Sequence, residues 1–208
     1  MAPPAACRYF AVLPAAGRSV RMGRPKLLLP WNGGTIIESV LRVWRLSQVT
    51  QLIVVVHPAD HELAEICRVA GANVLVPDTP PPDMKASLQH GLQYIRECFN
   101  PQDTDAWLLA PADMPLLTTA AIDQVIAAHG SRQLDQQRII VPVSGGRRGH
   151  PVLFPWSLAA EVDRLPADAG VNRLLKLHEV VEIAADDPSI LHDLDTPDDY
   201  QQLHNRTF

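Results

Sequence analysis

Cysteine is scarce in this sequence of 208 residues: Cys7, Cys67 and Cys98 stand 60 and 31 positions apart, with no Cys-x-x-Cys pair. An odd count at such spacing excludes a disulfide framework and a thiolate zinc site, and it predicts idle thiols in a reducing cytoplasm. Long apolar runs are missing too. Stretches such as Leu52 to Val56 are far too short to cross a bilayer. The opening MAPPAACRYF has no basic segment leading into an apolar one, so no secretory signal is read there. Nor is there an excess of positive charge: a formal net charge of −5 excludes general nucleic-acid binding through phosphates. No repeat recurs at a fixed period, and the one biased stretch, PDTPPPD at 77–83, is too short for a linker and reads as a stiff loop. What remains, 47% apolar and 20% charged, predicts one globular domain over residues 1–208, cytoplasmic, with neither nucleic acid nor membrane as a partner. A chain of this length buries roughly 70–75% of its unfolded surface and needs no staples.

The charge that is present is unevenly placed. The first 37 residues hold five basic side chains (Arg8, Arg18, Arg21, Arg24, Lys26) and no acid, whereas residues 177–205 hold eight acids and no Lys or Arg. A basic loop near the start suits a small anionic ligand, and late carboxylates suit a divalent cation. A merely solvated acidic terminus is the plain alternative.

Short apolar runs alternate with helical patterns along the chain. A strand is expected from about Tyr9 to Leu13. Thr35, three residues before Glu38, opens a helix with a capping box. The β-branched run QLIVVV is strand-like, and Asp60 caps the helix HELAEICRVA, which Gly71 stops. NVLVP, AWLLAPAD, RIIVPV and PVLFP are further strands. MKASLQHGLQYIRECF is helical despite Gly91, and Thr118 or Thr119 caps a helix to His129. VVEIA and ILHDLD are expected as short strands before a last helix from Thr196. Strand and helix in this alternation predict an α/β fold with a doubly wound, mainly parallel sheet and helices on both faces. Such sheets bind ligands beyond the carboxyl ends of their strands.

The loop after the first strand, LPAAGRSVRMGRPK, combines small residues with charge. Small residues admit close backbone approach and an anion nest, and Arg21 and Lys26 add charge for phosphate oxygens. It is neither a Walker A loop, since Gly17 and Gly23 enclose five residues and Lys26 stands three further on, nor a G-x-G-x-x-G fingerprint. The segment AAG-x-S-x-R-M-G-x-x-K-L-L-L-P resembles the signature loop of MobA/MocA-like nucleotidyltransferases, a Rossmann-like fold in which the loop wraps the triphosphate of an NTP. The resemblance, which runs from Leu13 to Tyr200, implies that Leu13, Ala15, Ala16, Gly17, Arg18, Arg21, Met22, Gly23 and Lys26 lie on the nucleotide, with Pro77, Ser87 and Ala112. Arg21, Lys26 and Asp113 are the implied catalytic residues.

LLAPADMP puts Asp113 just past a buried strand, between two prolines, where a carboxylate points into the ligand crevice; a turn or capping aspartate is the alternative. In ILHDLDTPDDY, a strand would place Asp193 and Asp195 on one face. Like charges there call for a cation such as Mg²⁺, while Asp198 and Asp199 suit the first turn of the last helix. These segments resemble the GDMP and DIDTPDDY motifs of the family, which implies Mg²⁺ held by Asp113 and one of Asp193 and Asp195, with Asp193 favoured.

SGGRRGHPVLF can bend tightly while presenting Arg147, Arg148 and His150, and hairpin chemistry alone would explain its glycines. The Gly-His-Pro triplet and LPADAGVNRLL resemble the cytidylyltransferase branch, which implies that Arg147, Arg148 and His150 bind the acceptor, His150 as an orienting donor. DMKASL departs from the family's Gly-Met-x-x-Ser-Leu, with Asp83 for glycine and Lys85 at a small-residue position. The implied reaction transfers CMP from CTP to the terminal phosphate of a molybdopterin-type acceptor, whose product passes to a molybdoenzyme. Guanylyl transfer to the same acceptor, cytidylyl transfer to another small phosphate, and a silent nucleotide-binding sensor or delivery protein are the alternatives.

Overall fold

The first strand, β1 (Tyr9–Ala15), is buried on both faces, because its side chains alternate between two separate apolar clusters. Tyr9, Ala11, Leu13 and Ala15 enter one, and Phe10 and Val12 enter the other. A strand buried this way is the centre of a sheet covered on both sides. The computed structural model describes residues 7–18, 22–130 and 137–207, the last three by backbone alone.

In chain order, a two-residue pair β2 (Pro30–Trp31) and β3 (Gly34–Thr35) precedes helix α1 (Ile36–Leu46). Then come β4 (Gln51–Val56), α2 (His61–Val69), β5 (Asn73–Leu75), α3 (Met84–Phe99), β6 (Ala106–Leu109) and α4 (Thr119–Gly130). β7 (Ile139–Ser144), β8 (Arg147–Arg148), β9 (Val152–Pro155), α5 (Ala159–Val162), α6 (Leu174–Leu177), β10 (Val180–Ala184) and α7 (Pro197–Thr207) complete the chain. The main sheet runs β10-β7-β9-β6-β1-β4-β5, with β8 paired to β7. The β6-β1-β4-β5 half and the β7–β10 pair are parallel, while β9 lies antiparallel between β6 and β7. Buried residues of α1, α2 and α4 cover one face, and those of α3, α5 and α6 the other. The strand order reverses at β1, so a crevice opens beyond the carboxyl ends of β1 and β6.

Local chemistry explains most element ends. Thr35 and Glu38 form the expected capping box. Thr118, not Thr119, caps α4, its Oγ1 accepting from the Ala121 N–H at 3.2 Å. Asp60 stands at the N-cap of α2 without a side-chain bond to the helix. Gly145 and Gly146 take positive φ of 56° and 75°, the conformation a two-residue hairpin between β7 and β8 requires. Gly91 is small because a Cβ there would come within 2.6 Å of Val12 Cγ1, so α3 lies close on β1. At the opposite edge from the crevice, the Asp105 carboxylate accepts from Arg8 N (2.8 Å), Arg8 Nε (3.1 Å) and Gln102 N (2.8 Å), tying β1 to β6.

One expected strand is absent. Residues 188–191 form a 3-10 turn, Pro188–Leu191, and no strand follows before α7. Asp187 caps that turn at Ser189 N (2.8 Å), and the residues driven into the core are Ile190 and Leu194, four apart, rather than every second one. Asp193 and Asp195 therefore do not share the face of a strand.

Candidate active site

The crevice is a cleft of about 450 Å³. The loop after β1 lines it with Ala15, Ala16, Gly17, Arg18 and Lys26, and the loop after β6 with Pro111, Ala112 and Asp113. Ser87 from α3 and Asp195 complete the residues read from the sequence. Asp83 and Met84, from the segment that departs from the family pattern, line it too, whereas sequence reading missed His57, at the end of β4, and the wall made by Pro80, Pro81 and Pro82. The rule that found the first loop applies equally to the end of β4, since every parallel strand delivers its following loop to the same edge.

Lys26 ties the cleft together. It opens a 3-10 turn, Lys26–Leu28, and its ammonium donates to Asp113 Oδ2, to the Leu194 carbonyl (2.7 Å) and to Asp195 Oδ1 (3.1 Å). The Leu194 N–H donates to the Asp113 carbonyl at 3.0 Å, which locks the late acidic segment onto the loop after β6. Burial pulls the Lys26 ammonium down, but the carboxylates of Asp113 and Asp195 more than offset this and hold its pKa above the ordinary value. Asp113 itself is 9% exposed. Burial raises its pKa, Lys26 opposes the rise, and the negative charge of Asp193 adds to it. Its second oxygen, Oδ1, is buried with no hydrogen-bond partner outside its own residue among the described residues. A buried carboxylate oxygen without a partner is costly, and a hard cation is the ligand that such an oxygen fits. No trio of His, Cys, Asp or Glu gathers around it among the described residues, so a metal here would take the rest of its shell from substrate and water.

The other sequence-derived candidates are spread more widely. The Leu13 and Met22 side chains are buried in the core and do not line the cleft. Gly23, with φ of 64°, is a turn residue. Pro77 lines a separate groove beside Tyr94, on the outer side of β5. Arg21 lies outside the described residues. Asp193 is exposed, and its charge acts on both Asp113 and His150.

A second cavity of about 310 Å³ adjoins the cleft, and Asp83 and Met84 line both. His150 and the loop at 167–172 form its far side. His150 Nδ1 lies 3.4 Å from the Leu109 carbonyl. Burial lowers its pKa and keeps the imidazole neutral. Arg148 pairs with Glu182 at 2.7 Å on the strand surface, and Arg147 beside it is exposed. Arg148 lines a shallow neighbouring cavity with His150 and Asn172, but neither arginine lines the cavity shared with Asp83.

The two departures from the family pattern have local reasons. Asp83 caps α3, its Oδ1 accepting from Ala86 N at 2.7 Å, in an extended backbone that does not require glycine. The buried Lys85 reaches across to the Pro166 and Ala167 carbonyls at 2.7 and 2.9 Å.

Comparison with known proteins agrees with this geometry. The sequence description of the MobA-like NTP transferase domain matches residues 11–183. A molybdenum cofactor cytidylyltransferase of Escherichia coli (strain K12) is 27% identical over 190 residues, covering 91% of this chain and 92% of its own. The crystal structure of Rv0371c from Mycobacterium tuberculosis H37Rv superposes with a TM-score of 0.78 at 30% identity, covering 96% of this chain and 98% of the other. The same protein in complex with manganese gives a TM-score of 0.75 at 28% identity, covering 95% and 98%. No described helix is long and apolar enough to cross a membrane.

Proposed function

The chain belongs to the MobA-like NTP transferase family and is a nucleotidyltransferase; within that family, we propose that it transfers CMP from CTP to the terminal phosphate of a molybdenum-bearing molybdopterin, with Mg²⁺. The observation that carries the reading is the buried, unpartnered Oδ1 of Asp113, set beside Lys26 in a cleft floored by small residues. A triphosphate fits such a floor, because the backbone at Ala15, Ala16 and Gly17 can approach it closely. Asp113, with Asp193 or Asp195, would hold the cation; a structural relative of this chain has been crystallised in complex with manganese. The bound ion would neutralise charge on the transferring phosphate.

The remaining work falls to the chain. An oxygen of the acceptor phosphate attacks the α-phosphorus, the α–β phosphoanhydride bond breaks, and pyrophosphate leaves with the bonding pair. A phosphate acceptor is already ionised at neutral pH, so no general base is required, and neutral His150 serves the acceptor's orientation instead. Positioning and fixed positive charge supply the rate. Lys26 is placed to exchange its carboxylate partners for phosphate oxygens, and Arg18 lines the same cleft.

Cytidine is favoured by the relative of the same length, a cytidylyltransferase. The test is pyrophosphate release with Mg²⁺, the molybdenum-loaded acceptor and each of CTP, GTP, ATP and UTP in turn. Release with CTP alone is expected. Release with GTP would reassign the base and keep the chemistry, and silence with all four would overturn the acceptor.

A further inference from the structure

Lys85 is a buried cation with no anion beside it among the described residues. Its residue is 9% exposed, and among the described residues no carboxylate lies within salt-bridge distance of its Nζ. Its two partners are backbone carbonyls, Pro166 O at 2.7 Å and Ala167 O at 2.9 Å, 81 and 82 residues further along the chain. Burying an ammonium against neutral carbonyls alone is unfavourable, and a –NH₃⁺ group has three protons to donate. Two are used. Lys85 is also among the residues that line the second cavity.

The surroundings define what Lys85 can do. Asp83 and Asp168 line the same cavity, but the Asp83 carboxylate is engaged by the Ala86 N–H, and Asp168 is exposed to solvent. His150, across the cavity, has its pKa lowered by burial and supplies no fixed positive charge. Lys85 is therefore the cavity's buried positive charge. It also joins two walls that would otherwise be independent: the first turn of α3, which borders the nucleotide cleft through Asp83 and Met84, and the loop from 166 to 170.

We propose that Lys85 is the positioning residue of the acceptor cavity, clamping the loop at 166–170 to the first turn of α3 and donating its remaining proton to a phosphate or carbonyl oxygen of the acceptor. The assignment rests on the reaction proposed above.

The test compares Lys85→Met, which keeps the apolar stem, with Lys85→Arg, which keeps the charge. In Lys85→Met the KM for the acceptor rises about tenfold, the equivalent of one lost charge-assisted hydrogen bond. The KM for the nucleotide and kcat stay within about twofold, and amide exchange quickens at residues 167–170 and not across the sheet. Lys85→Arg recovers part of the acceptor affinity. If the methionine variant fails to fold, Lys85→Gln reads the same split. Equal rises in both KM values, or a lower Tm with an unchanged acceptor KM, overturn the assignment. A wild-type protein that does not use the acceptor sinks the proposed reaction and this assignment with it, whereas a working wild type beside an unshifted variant sinks the assignment alone.

Discussion

The Lys26 ammonium donates to the Asp113 carboxylate across 87 residues of chain, and the same ammonium reaches Leu194 and Asp195 on a third segment. Three loops from different parts of the sequence thus meet on one charge. The contact preorganises the cleft by holding the carboxylates of Asp113 and Asp195 on one ammonium.

Asp113→Asn keeps the shape of the side chain and removes its charge. Turnover is expected to fall about 10³-fold, while nucleotide binding, measured by calorimetry, falls only a few-fold. A variant with near-normal pyrophosphate release would remove Asp113 from the chemistry.

Asp193→Asn and Asp195→Asn separate the roles of the late acids. Asp195 bonds to Lys26 directly, whereas Asp193 acts on Asp113 through its field alone. Removing the Asp193 charge makes Asp113 easier to ionise, so its carboxyl titration, followed by ¹³C NMR, moves to lower pH. Removing Asp195 takes a negative partner from Lys26, whose pKa falls. Whichever variant loses more metal-dependent activity identifies the second cation ligand.

Gly149→Ala tests the Gly-His-Pro turn. A Cβ at Gly149 would stand 2.5 Å from the Ile190 carbonyl, a backbone atom that cannot rotate aside, and the neighbouring His150 N–H donates to that same carbonyl at 2.9 Å. Overpacking here is expected to cost about 1–3 kcal/mol, read as a lower Tm. Activity falls as well, because the Pro188–Leu191 turn, whose Ile190 carbonyl is displaced, leads straight into Asp193 and Asp195.

Asp105→Asn tests the opposite edge of the sheet. Burial pushes the Asp105 carboxyl up, but hydrogen bonds from Arg8 and Gln102 outweigh it, and the group sits below its ordinary value of 3.8. A depressed carboxylate contributes stability that is fully present above the unfolded pKa and is lost as pH falls through the folded one. The variant is therefore expected to lose about 2 kcal/mol near pH 7. Its stability should also vary less with pH below about 4. An equal loss at pH 2 and pH 7 in chemical denaturation would contradict the ionic account.

The elements were largely legible before folding because they rest on local chemistry. The capping box at Thr35 and Glu38, the stop at Gly71 and the helix from Met84 to Phe99 each depend on neighbours a few residues away. ILHDLD misled because alternation was read where anchoring by Ile190 and Leu194 rules. A buried partner far along the chain decides which residues of an irregular segment turn inward.

The chain's own order of residues determined the small and basic loop after β1, the proline-framed aspartate after β6 and the acidic segment before α7. It also determined the family these belong to. Only the tertiary structure decided that Lys26 spans Asp113 and Asp195, that one oxygen of Asp113 has no partner outside its own residue among the described residues, that His150 is buried beside the Leu109 carbonyl, and that Lys85 reaches Pro166 and Ala167. Spacing can place a residue on an element. Charge, tautomer and hydrogen-bond partner depend on burial and on groups brought within a few ångströms by the crossovers of the sheet, and those distances exist only once the chain has folded.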